Sequence, residues 1–63
     1  MVEILISSVS QALKQVPVCK ETVGFISDAA AMIKSAKTMP SNEAVIKVRD
    51  ARNLIDSAWN AIA

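Results

Sequence analysis

Thr38-Met39-Pro40-Ser41-Asn42 decides the fold, because it holds a stop signal and a start signal for helices side by side. Pro40 has no backbone donor and pushes Met39 away from helical angles. Ser41 and Asn42 behind it are both good N-cap residues, so a helix is expected to begin at one of them. Downstream, residues 41–62 read as one helix, with Glu43 favourably near its positive end. On a wheel of about 100° per residue, Val45, Trp59, Val48, Ile55, Ala44, Ile62, Ala51, Ala58, Leu54 and Ala61 fill an apolar arc of about 200°. Arg49, Asp50, Asn53, Asp56, Ser57 and Asn60 occupy the opposite strip, and Glu43/Lys47 and Arg52/Asp56 are spaced as i,i+4 ion pairs.

Upstream, residues 18–37 read as a second helix whose apolar arc of about 180° runs through Cys19, Val23, Phe25, Ile26, Ala29, Ala30, Met32, Ile33 and Ala36. Its polar side carries small residues at Ser27, Ala31 and Ser35, which solvent exposure explains, since small-x3-small spacing has most of its meaning in membranes. Pro17 is the other break. Before it, residues 2–15 form an amphipathic helix with Val2, Leu5, Ile6, Val9, Ala12, Leu13 and Val16 in one arc, and only Ile4 off the stripe.

These segments predict an all-α fold, a small antiparallel three-helix bundle in which residues 1–63 form a single helical domain, with connections near 16–18 and 38–41. The alternative is a kinked helical hairpin that oligomerises, in which Pro17 bends one long helix instead of dividing two. Sixty-three residues leave room for one core only. One glycine, two prolines and ten alanines fit helices better than strands and turns.

Composition excludes much chemistry. The chain has no His, no Tyr and one Cys, so most acid–base, nucleophilic and metal-ligating side chains are missing. Ser10 and Lys14 lie one helical turn apart, yet no oxyanion donors can be read around them. Asp50 and Asp56 cannot serve one carboxylate pair, and no Gly-rich loop cradles phosphate. We therefore expect no enzyme, no catalytic residue, no cofactor and no metal. Cys19, which cannot form a disulfide within the chain, fits a small apolar packing role and a cytoplasmic setting. The start, Met1-Val2-Glu3-Ile4-Leu5, lacks the basic region of a signal peptide, and the charge-free run Ile4–Leu13 is about half the roughly 20 residues of a membrane span.

Net charge +1 offers no broad attraction for nucleic acid or anionic lipid. Five of the seven basic residues, Lys34, Lys37, Lys47, Arg49 and Arg52, do gather around one turn, so a nucleic-acid-associated regulator is retained as the alternative function. A membrane-interface-binding helical peptide is the third reading, resting on the amphipathic first helix, whose polar face carries only two charges, Glu3 and Lys14.

The stretch Lys37-Thr38-Met39-Pro40-Ser41-Asn42 resembles the Pro-Ser-Asn turn of type III secretion needle subunits, which are short helical hairpins that polymerise. The likeness covers those six residues and carries no assignment to the family, whose second helix is much longer and has its own polar signature.

Packing arithmetic points to association. A chain of this size buries only about 60% of its unfolded surface, and here Ala, Val and Ile supply 24 of 33 hydrophobic residues. A three-helix bundle asks each helix for an apolar stripe somewhat above about 100°, less than the second and third segments carry. The expected function is protein–protein association, as a small structural subunit or interaction module pairing with itself or with another helical protein. Phe25, Met32, Leu54 and Trp59 are the expected contact residues.

Overall fold

In the computed structural model, which describes residues 2–63, three helices run in the order α1 (Val2–Gln15), α2 (Val23–Ala36) and α3 (Ser41–Ile62), packed as a three-helix bundle. Met1 and the side chain of Val2, the first residue of the α1 stripe, lie outside the described residues. Pro17 separates two helices, so the long kinked hairpin is not formed.

The core alternates large and small residues at heptad spacing. On α3 it is Ala44, Val48, Ala51, Ile55 and Ala58, and on α2 it is Ala29, Ile33 and Ala36, all out of water. The spacing i, i+4, i+7 keeps one seam of each helix toward its neighbour, and the alanines let two backbones approach closely. The α2·α3 contact is accordingly much the most extensive in the molecule. From α1 come Ile6 and Val9, with Leu5, Ala12 and Leu13 packed at the margin and Val16 buried just past the helix end. Ile4, off the stripe, is 73% exposed, and Ser27, Ala31 and Ser35 of α2 all face solvent.

Two boundaries differ from the sequence expectation. The second helix begins at Val23, not at 18, so Cys19, Lys20 and Glu21 lie in a turn and the first connection spans residues 16–22. Thr22 is the reason. Its Oγ1 donates to the Pro17 carbonyl at 2.6 Å and accepts from the Cys19 amide at 3.0 Å, giving these backbone groups a partner that a continuing helix would otherwise supply. The Cys19 carbonyl then accepts the amides of Thr22 and Val23, which closes the turn on which α2 starts. At the second break, helical geometry begins at Ser41 with Pro40 in the cap position, and the Pro40 carbonyl accepts from the amides of Glu43 and Ala44 at 3.0 and 2.8 Å. No side chain caps this end. A proline just ahead of the first helical turn forfeits nothing, because that backbone position has no helical acceptor to meet.

Candidate interaction surfaces

Because α1 lies against both other helices, the grooves beside it show which way each helix faces. The α1·α2 groove, about 370 Å³, is lined by Leu13, Ala30 and Ile33 and by Lys14, Lys34 and Lys37, among others. Between α1 and α3, a smaller groove of about 190 Å³ is lined by Leu5, Val9, Val48, Arg49 and Arg52, among others. A third groove, about 610 Å³, lies where the α2–α3 turn meets α1 and includes Ile6, Ala36 and Met39.

The α1-facing side of α2 is thus the side of Ala30 and Lys34, and that of α3 is the side of Val48 and Arg52. On the helical wheel, Phe25 and Met32 lie past Ala29 and Ala36 in the opposite direction, and Leu54 lies past Ala51 and Ala58 in the opposite direction on α3. The fold therefore brings Phe25, Met32 and Leu54 to one side of the α2·α3 pair, the side away from α1. Each is half-buried, its inner part packed on the core and its outer part in solvent. Trp59, the fourth expected contact residue, is not with them. It follows Val48 and Arg52 along the α1-facing side of α3, toward the far end of that helix, and is 43% exposed.

Three further apolar residues are exposed, among them Val23, which was expected within the apolar arc of the second helix. Val18 and Val23, at 76% and 52% exposure, belong to the turn and the first residue of α2, and Ile46 on α3 is 62% exposed. Ile46 falls outside the apolar arc, so, like Ile4, it is a lone side chain in solvent. Thr22 was missed, although it sits at the same seven-residue spacing as Ala29 and Ala36. That register, extended one step back, marks it as a core position.

Charge is sorted by side. Lys14, Lys34, Lys37, Arg49 and Arg52 line the two grooves that flank α1. On the face away from α1, Asp28 lies between Phe25 and Met32 at helical spacing, and Glu43, Lys47, Asp50 and Leu54 form one ridge along α3. The basic residues that cluster in sequence are thereby divided: α1 stands between the Lys34–Lys37 pair and the Arg49–Arg52 pair, and Lys47 lies on the other side. Of the two expected ion pairs, Arg52 and Asp56 meet at 3.5 Å, while Glu43 and Lys47 do not. Both partners of the first are more than half exposed, so it contributes little to stability. The Glu3 carboxyl is held below the usual carboxylate range, chiefly by accepting a hydrogen bond from its own backbone amide.

Ser10 and Lys14 both border the α1·α2 groove and share no hydrogen bond. Cys19 is half-buried, with Sγ 3.4 Å from the Thr22 hydroxyl. Among the described residues, no three His, Cys, Asp or Glu side chains gather closely enough to hold a metal ion, and no helix is long and apolar enough to cross a membrane. Comparison with protein-family models, with curated proteins and with solved structures finds no match for this chain.

Proposed function

We propose that this chain is a non-enzymatic association module, a small structural subunit that assembles with copies of itself or with another helical protein through apolar helix faces. The observation that carries the proposal is the face bearing Phe25, Met32 and Leu54, where large apolar side chains packed on the core keep part of their surface in water on the side of the α2·α3 pair that α1 leaves uncovered. Burying what remains exposed of a Phe, a Met and a Leu supplies about 25 cal/mol per Å² removed from water, a gain available without unpacking the core. A cytoplasmic location goes with this reading, as does the single half-buried cysteine.

The nucleic-acid alternative has less support, since no single stripe collects the five clustered basic residues. Substitution at the uncovered face separates association from core packing. Met32→Asp is expected to lower the assembled mass, measured by light scattering, while the helical circular dichroism stays at the wild-type level. Simultaneous loss of mass and helicity in both Met32→Asp and Leu54→Ser would identify these residues as ordinary core and overturn the proposal.

A further inference from the structure

Resting on that association reading, we infer that the partner is a second copy of this chain bound head to tail, with the Phe25–Met32–Leu54 face of one copy seated in the α1·α2 groove of the next. The argument is charge complementarity between two surfaces on different sides of the molecule. Asp28, Glu43 and Asp50 share the side of the apolar face with Lys47, whereas the groove is lined by Leu13, Ala30 and Ile33 together with Lys14, Lys34 and Lys37, with no acid among its described lining residues. Among the described residues, none of these six acids and lysines has an ion-pair partner.

Two like faces brought together would set Asp28, Glu43 and Asp50 of one copy against the same acids of the other, a juxtaposition that costs affinity and misdirects encounter. Face against groove sets acids against lysines and apolar side chains against apolar lining. Since each copy has one of each surface, the contact is heterologous and repeats, closing as a ring or continuing as a row.

The test is sedimentation of the 63-residue chain in 0.05 and 0.5 M salt, together with two charge-reversed variants, Asp28→Lys/Asp50→Lys and Lys34→Glu/Lys37→Glu. All four positions are exposed, and circular dichroism checks that each variant keeps its helices. High salt is expected to weaken association of the wild type, because it screens attraction between the two surfaces. Each variant alone is expected to need at least tenfold more protein to reach half-assembly, and an equimolar mixture to recover to within about threefold of wild type.

A face-to-face dimer makes the opposite predictions: salt strengthens it, and Lys34→Glu/Lys37→Glu behaves as wild type. Either result overturns the head-to-tail contact and leaves the association reading standing. A wild type that stays monomeric in both salts overturns both. If acids near the end of α2 unsettle its last turn, the neutral triple Lys14→Gln/Lys34→Gln/Lys37→Gln replaces that variant. It is expected to abolish the salt dependence, and an unchanged dependence overturns the contact.

Discussion

Thr22 has no side-chain surface in contact with water, and its hydroxyl serves two backbone groups at once, the Pro17 carbonyl and the Cys19 amide. Thr22→Val keeps the shape and removes both hydrogen bonds, leaving a donor and an acceptor in a part-buried turn. We expect it to destabilise the fold by about 1–3 kcal/mol in denaturant titration. Thr22→Ser keeps the hydroxyl, loses one methyl group, and should cost about 1 kcal/mol. A larger loss from Thr22→Ser than from Thr22→Val would mean that the methyl, not the hydroxyl, holds the turn. Gly24 works in the other direction: it lies in the first turn of α2, without positive φ, and an added methyl would meet nothing within 4 Å. Gly24→Ala is therefore expected to raise stability by about 0.4–1 kcal/mol, chiefly by restricting the unfolded chain. Proline is visible in sequence as a break, but where the next helix starts depends on a hydroxyl folding back five residues, a contact that periodicity does not encode. That is why the turn extends to Thr22 while Pro17 correctly marks where α1 gives way.

At the scale of elements, the α2·α3 pair is the densest part of the molecule and depends on alanine at Ala29, Ala36, Ala44, Ala51 and Ala58. Ala51→Leu drives a larger side chain into that seam and is expected to destabilise by about 1–3 kcal/mol, whereas Ala31→Leu on the solvent side should change stability by less than about 0.5 kcal/mol. Thermal unfolding of the two variants checks this, with about 4–8 °C of midpoint shift for each kcal/mol. α1 is held less extensively than its neighbours are held to each other. Its amides are expected to exchange with solvent before those of Ala29–Ile33 and Val48–Ile55, and hydrogen exchange read residue by residue would detect the reverse order. The three helices were legible from the spacing of Val, Ile, Leu and Ala, because a buried seam must recur every three or four residues. That Phe25, Met32 and Leu54 share one side, and Trp59 does not, was illegible: a wheel gives the direction of a residue about its own axis, and only the position of α1 converts those directions into faces.

As a whole, the molecule measures 33 × 16 × 13 Å, and its greatest length equals that of the 22-residue α3, about 1.5 Å per residue. Its 4267 Å² of accessible surface exceeds the roughly 3,900 Å² expected of a globular chain of this mass, in keeping with an elongated bundle that leaves some apolar side chains partly in water. Only part of the wide apolar arcs on α2 and α3 is consumed by the internal core. The remainder is the physical basis for association, and it makes stability and assembly two readings of one equilibrium. The direct measurement is mass by sedimentation over a hundredfold range of protein concentration, with circular dichroism on the same samples. A discrete multiple of the chain mass or a growing assembly, with helicity rising or held as mass increases, is the result expected. A stably helical monomer across the whole range would contradict it, showing that water covers the Phe25–Met32–Leu54 face without penalty.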